Sequence, residues 1–255
     1  MKGLLAAVLI ALPGLAAAQR VLEFRHDLAF SSTEVNTLAA RGFGARLRTL
    51  ALAGKLDPDP ALKRRMQRIF PRLLRAAVYE RPAAAALRWE IHACRQCDEN
   101  ASAMAGGKLL VSADLVRRLA LTDDELAYLL AHEMAHVLAE HTREFASVAR
   151  YFVDNGRSRN YADIQQELAE SIPVMIRMRP LCVQQELEAD YIGFVLGARA
   201  GFRPEGMLGL LGKLGDGGGT LLATHPSEAA RLRQARGMLE TARRLYANAR
   251  RAGLK

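Results

Sequence analysis

The segment His132-Glu133-Met134-Ala135-His136 contains residues whose types and spacing suit metal-assisted hydrolysis. Histidines four residues apart lie on one face of an α-helix, about one turn apart, so both imidazoles can reach a single metal ion. Glu133 projects from the same turn and can take a proton from water at the metal. The pattern H-E-x-x-H therefore predicts a metal-dependent hydrolase.

The helix that must position this motif has a clear predicted start. Thr122 and Glu125 form a capping box, in which a threonine at the N-cap is followed three residues later by a glutamate. Apolar residues then recur at helical spacing; they are Leu126, Leu129, Leu130, Met134, Val137 and Leu138. We expect one long helix that continues to Ala149, with the motif in its middle.

A catalytic zinc site needs a third protein ligand and an open fourth position. Ala139 and Thr142 stand where metzincins carry glycine and histidine, so that pattern is excluded. His141 does not fit it either, and we expect a solvated helix residue there. Farther on, Glu186 and Asp190 share one face of a second predicted helix. Glu186 can ligate the metal, and Asp190 can accept a hydrogen bond from a ligating imidazole.

These motifs and their order resemble one zinc-metallopeptidase family. The family includes the CAAX prenyl protease, the HtpX heat-shock protease, the mitochondrial Oma-type proteases and periplasmic BepA. The matching elements are an N-A-x-x-x-x-G-G stretch from Asn100 to Gly107, the HEMAH motif, Glu186-Leu187-Glu188-Ala189-Asp190 before Tyr191-Ile192-Gly193, and Thr224-His225-Pro226 with Arg231 six residues after the histidine. The resemblance covers roughly residues 85 to 240. It implies that His132, His136 and Glu186 bind one zinc ion and that Glu133 is the general base.

The tetrahedral intermediate of peptide hydrolysis needs a positive or hydrogen-bonding group at its oxyanion. His225 and Arg231 are the candidates for that role. His225 has two other possible roles. The glycine-rich run from 215 to 219 can let its loop swing, so that it occupies the open position of the zinc, or it can simply cap a helix.

The predicted fold class is α+β and predominantly helical. It is a zincin-like metallopeptidase domain with a long HExxH helix, a second ligand helix and a small antiparallel sheet. Helices are expected at 33–52 and 61–81, and a half-buried strand at 87–92. A second strand follows Gly106-Gly107, and its residues Lys108, Leu109, Leu110 and Val111 are assigned as an edge strand that aligns an extended substrate. The polar segment 154–170 is expected to be a lid or a surface loop.

The chain has three cysteines. Cys94 and Cys97 are close enough in sequence to form a disulfide in an oxidising compartment. Cys182 is the odd thiol and is expected to be a small buried residue near Glu186. A second zinc site from His92 and Cys182 is the weaker alternative.

The first residues resemble a secretory signal peptide. Lys2 provides the positive region, Leu4 to Leu12 the apolar region, and Ala16-Ala17-Ala18 a small-residue cleavage site. We therefore expect a signal peptide at 1–18 and one metallopeptidase domain at 19–255, with an N-terminal helical segment at 19–82 and a catalytic core at 83–240. The expected location is the periplasm, with the protein soluble after cleavage.

The sequence predicts an exported zinc endopeptidase, and the resemblance implies misfolded envelope or outer-membrane proteins as its substrates. Its expected partners are unfolded chains and, because the net charge is +9, an anionic membrane surface; nucleic acid is not expected. One alternative is a zinc-containing holding protein with little turnover. Another is a metalloredox protein built on Cys94 and Cys97.

Overall fold

Two long helices open the part of the chain that the computed structural model describes, which is residues 28–97, 100–215 and 228–253. Helix α1 spans Ser32–Leu52 and helix α2 spans Pro60–Glu80. The side chain of Asp59 accepts hydrogen bonds from two backbone N–H groups of the first turn of α2, which satisfies donors that have no partner within the helix. Both helices agree with the predicted positions. The predicted signal peptide and His225 lie outside the described residues.

A three-stranded sheet follows the two helices. Its strands are β1 (Glu90–Cys94), β2 (Ala101–Met104) and β3 (Lys108–Ser112), in the order β1-β3-β2. Strand β2 is antiparallel to β3, but β1 is parallel to it. The sheet is therefore mixed and not antiparallel as expected. Strands β1 and β2 lie on opposite sides of β3, and the β2–β3 hairpin makes β3 run in the direction of β1.

The sequence analysis assigned Lys108, Leu109, Leu110 and Val111 to an edge strand that aligns substrate, and this assignment is wrong. These residues form β3, which is the central strand and has both edges occupied by neighbours. All five of its residues are buried, including the polar Lys108 and Ser112 at its ends. The outer strands of the sheet are β1 and β2, and Leu56 forms an isolated bridge with Cys94 at the edge of β1.

The turn between β2 and β3 depends on two glycines. Gly106 and Gly107 have φ values of 77° and 85°, a region that favours glycine. A Cβ atom on Gly107 would lie 2.9 Å from the ring of Trp89. The turn therefore fixes the antiparallel pairing of β2 and β3 and packs closely against Trp89.

The rest of the described chain is helical, which confirms the predominantly helical α+β class. The helix Asp123–Leu138 begins at the predicted capping box, where the Glu125 side chain accepts the N–H of Thr122 at 2.7 Å. The later helices are α3 (Ala113–Arg118), α4 (Asp123–Leu138), α5 (His141–Ala149), α6 (Tyr161–Glu170), α7 (Ile172–Arg199), α8 (Glu205–Leu214) and α9 (Glu228–Arg251), with short 3-10 segments at Pro82–Ala86 and Gly156–Ser158.

The long helix expected to reach Ala149 is two helices. Helix α4 ends at Leu138, and Glu140 has a φ of 56°, which turns the chain before α5 begins at His141. The Glu140 carboxylate accepts hydrogen bonds from Ser32 at 2.8 Å and from Arg143 at 3.0 Å. These contacts hold the left-handed residue in place, so the HEMAH motif lies near the end of its helix.

Helices α4 and α7 pack closely because α7 carries glycine at two contact positions. A Cβ atom on Gly193 would lie 2.9 Å from the backbone nitrogen of His132, and one on Gly197 would lie 2.3 Å from the ring of Tyr128. Small residues allow helix backbones to approach in this way. The close contact sets the distance between the HEMAH motif and the acidic residues of α7.

The cysteines divide between the sheet and helix α7. Cys94 and Cys97 form a disulfide at the end of β1. Cys182 is a buried thiol in α7, one turn before Glu186, and burial raises its pKa to about 12. Its position agrees with the predicted small buried residue.

No helix among the described residues combines the length and apolar character that are needed to cross a membrane.

Candidate metal centre

The metal-binding donors predicted from sequence meet where α4 and α7 face each other. The Nε2 atoms of His132 and His136 are 3.1 Å apart. Each Nε2 lies 3.4 Å from a carboxylate oxygen of Glu186. One donor atom from each of the three residues lies within 4.8 Å of the others. The structure therefore brings His132, His136 and Glu186 to one point.

The spacing of these donors suits a small tetrahedral ion. Zinc lies about 2.0–2.2 Å from imidazole nitrogen and carboxylate oxygen, and two donors of a tetrahedron are then about 3.3 Å apart. The observed separations of 3.1 and 3.4 Å agree with this value. Two imidazoles and one carboxylate are also a ligand set that catalytic zinc sites use. The residues present fit a zinc ion that has one position open.

Asp190 holds the first histidine in the orientation that metal binding requires. Its Oδ1 lies 3.0 Å from Nδ1 of His132, so that ring donates its Nδ1–H and directs Nε2 toward the centre. Burial alone would raise the pKa of Asp190, but hydrogen bonds from Arg231 and His132 lower it below its ordinary value. Asp190 is therefore an ionised acceptor one turn after Glu186.

Negative charge around His132 favours a cation at the centre. Burial lowers the pKa of this histidine, but hydrogen bonds to Asp190 and Glu186 outweigh that effect and raise it to about 10 before any metal binds. Either a proton or a divalent ion can supply positive charge beside these carboxylates. Metal and proton therefore compete for the same site.

Arg231 supports Asp190 in the structure. Its Nε and Nη2 atoms each donate to an oxygen of Asp190 at 2.7 Å; Asp190 is buried and Arg231 is mostly buried. This paired geometry commits the guanidinium to the carboxylate that orients His132. We therefore regard Arg231 as a positioning residue and no longer as a direct oxyanion donor. His225, the other candidate for that role, lies outside the described residues.

His141 is the clearest residue that sequence reasoning misplaced. It was expected to be solvated, but it is only 3% exposed, and its Nδ1 lies 2.8 Å from Nδ1 of His136. When His136 binds through Nε2, its Nδ1 carries the proton and donates to His141. The Nε2 atom of His141 then faces a carboxylate oxygen of Glu188 at 3.7 Å. His141 therefore fixes the orientation of the second histidine as Asp190 fixes that of the first.

We expect His141→Leu to weaken zinc binding about 10- to 100-fold, because it removes the acceptor for His136. His141→Asn keeps an oxygen near the position of Nδ1 and should retain most of the affinity. Competition with a chromogenic chelator at neutral pH measures both, and urea unfolding of the metal-free variants measures any general loss of stability. Equal weakening by leucine and asparagine would contradict the hydrogen-bonding role.

Glu133 faces the cavity into which the metal centre opens. The cavity has a volume of about 520 Å³ and is lined by Glu133, both HEMAH histidines and Glu186. Helix α6 contributes Gln165 and Leu168 to another wall. The segment expected to be a lid or loop is thus partly a helix beside the cavity.

Strand β2 borders the same cavity, through Ala101 and Ala103. The N–H of Ser112 donates to the carbonyl of Asn100, so the alternation of an antiparallel pair directs the backbone groups of Ala101 and Ala103 away from β3. Strand β2 is therefore the sheet edge beside the metal centre. The Gly106-Gly107 pair was the sequence signal for this hairpin, since such a pair between short apolar runs favours a tight turn.

A two-histidine helix, a glutamate from a neighbouring helix and an open sheet edge together define the metallopeptidase class. The profile of Peptidase family M48 matches residues 60–239, which is more than half of the chain. The chain belongs to this family.

Curated relatives carry the same printed name. The mitochondrial metalloendopeptidase OMA1 of Saccharomyces cerevisiae is 30% identical over 75% of this chain and 60% of its own length. The corresponding proteins of Arabidopsis thaliana and Schizosaccharomyces pombe are 31% and 30% identical over 55% and 58% of this chain, and over 30% and 46% of their own lengths. The chain therefore spans less than two thirds of each of these relatives.

The expected periplasmic location is wrong on this comparison. The relatives are named as mitochondrial proteins, which points away from a periplasmic location. The sequence analysis named four types of this family. The relatives are of the Oma type, and their names do not support the HtpX, CAAX or BepA type.

Proposed function

We propose that this chain is a zinc-dependent endopeptidase that cuts extended segments of unfolded or misfolded proteins. The observation that carries the proposal is the meeting of His132, His136 and Glu186 at a cavity that also contains Glu133. The family and the printed names of the relatives, which are metalloendopeptidases, support the same activity.

The chemistry follows from the positions of these groups. Zinc, when bound, polarises the peptide carbonyl and lowers the pKa of water. Glu133 takes a proton from the attacking water and delivers it to the leaving amine. Asp190 and His141 hold the two imidazoles in the tautomers that direct each Nε2 toward Glu186 and the centre. Arg231 donates two hydrogen bonds to Asp190 and so keeps this carboxylate ionised.

The substrate class follows from the edge of strand β2. Backbone groups of Ala101 and Ala103 can pair with an extended peptide, and such pairing requires an extended chain but no particular sequence. Folded proteins rarely offer a free extended segment, whereas unfolded ones do. We therefore propose protein quality control as the role. An anionic membrane surface, which suits the net charge of +9, remains a proposed second partner.

Metal removal tests the proposal. The purified chain with zinc should cleave reduced, unfolded casein; a strong chelator should stop cleavage, and added zinc should restore it. The zinc-free protein must stay folded by circular dichroism for the comparison to hold. Tight zinc binding together with suppression of casein aggregation, but without any cleavage, would overturn the endopeptidase proposal in favour of the holding protein.

A further inference from the structure

A second cavity lies beside the metal centre, near the turn that follows strand β2. Its volume is about 340 Å³. It is enclosed by α1, the 3-10 segment after α2, the end of α4 and the turn that follows β2. The apolar residues that contribute to its lining include Val35, Ala83, Ala84, Leu87, Ala105 and Val137.

The charged residues around this cavity are engaged with protein groups. Arg81 donates to the backbone carbonyl of Leu138. Arg143 donates to Ser32 at 3.1 Å and to Glu140 at 3.0 Å. Glu140 also accepts the Ser32 hydroxyl at 2.8 Å. These charged side chains thus bind one another, Ser32 and the backbone. A charged ligand would have to displace these hydrogen bonds. An apolar group can enter without breaking them.

The second cavity adjoins the cavity of the metal centre. His136 and Thr142 line both cavities. Strand β2 and the turn after it also connect them, because Ala101 and Ala103 of β2 border the metal cavity and Ala105 of the turn borders the second one.

We propose that the second cavity is the side-chain subsite that sets cleavage specificity, and that it takes one large apolar side chain, such as leucine, methionine or phenylalanine, close to the scissile bond. The proposal rests on the endopeptidase function proposed above. We consider an extended substrate that is paired with β2 and has a peptide bond at the metal centre. One of its side chains near that bond then enters the second cavity. Burial of that side chain should raise kcat/KM about 10- to 100-fold over an alanine at the same position.

The first test maps the bonds that the zinc-loaded protein cuts in unfolded casein and in a peptide library, by mass spectrometry. We expect large apolar residues to be enriched at one fixed position next to the cut, which also identifies the side of the bond. No enrichment, or enrichment of charged residues, would overturn the subsite while cleavage itself continued. Absence of all cleavage would instead count against the endopeptidase function.

The second test fills the cavity from its rim. Ala83 is exposed and lines the cavity, whereas Ala85 is exposed on the same 3-10 segment and is not among the lining residues. Ala83→Phe should lower kcat/KM for peptides with leucine or phenylalanine, relative to alanine peptides, about 10-fold or more. Ala85→Phe should keep the wild-type ratio. The same ratio in both variants, with both folded by thermal melting, would contradict the assignment.

Discussion

Glu133→Gln is expected to lower kcat for cleavage of unfolded casein by about 10²- to 10⁴-fold, because general acid–base catalysis contributes that much. Glutamine has nearly the same shape as glutamate, so the packing of α4 should not change. It cannot accept a proton from water, however, and cannot deliver one to the leaving amine. The loss should therefore appear in kcat and not in the binding of substrate.

Zinc content separates this effect from damage to the metal centre. The donors His132, His136 and Glu186 are untouched by the change, so the variant should bind zinc as the wild type does. Glu240→Gln is a matched control, since Glu240 is an exposed residue of α9. Cleavage by Glu133→Gln at the wild-type rate would show that another group serves as the base. Loss of both cleavage and zinc would point to a structural role for Glu133.

The metal donors could be predicted from sequence because their geometry is local to helices. The four-residue spacing of His132 and His136 places both on one face of any α-helix, and the same holds for Glu186 and Asp190. Only the meeting of the two helices is a long-range event. Gly193 and Gly197 signal that contact, but their significance becomes clear only when their partners on α4 are known.

The sheet and His141 could not be predicted in this way. The order β1-β3-β2 depends on β1 pairing with β3 and not with β2, its neighbour in sequence. A short apolar run such as Leu109 to Val111 suits either an edge strand or a central strand. The position of His141 depends on the left-handed backbone conformation of Glu140. No glycine stands at this position to indicate a turn. A continuous helix would have directed His141 elsewhere.

Gly193→Ala is expected to lower the free energy of unfolding by about 1–3 kcal/mol and to weaken zinc binding about tenfold or more. The added Cβ would lie 2.9 Å from the backbone nitrogen of His132 and 3.0 Å from its Cα. Backbone atoms cannot move aside as a flexible side chain can, so α7 must shift away from α4. Since Glu186 lies on α7 and both histidines lie on α4, the shift separates the donors.

Gly237→Ala provides the matched control for helix propensity. Gly237 lies within α9, and a Cβ atom there would have no neighbour within 4 Å. Alanine favours a helix over glycine by about 1 kcal/mol, so this variant should be slightly more stable and should bind zinc as the wild type does. Urea unfolding of the metal-free proteins and chelator competition measure the two quantities. If Gly193→Ala lost stability but kept its zinc affinity, the close approach of α4 and α7 would not be what holds the donors at their observed separations.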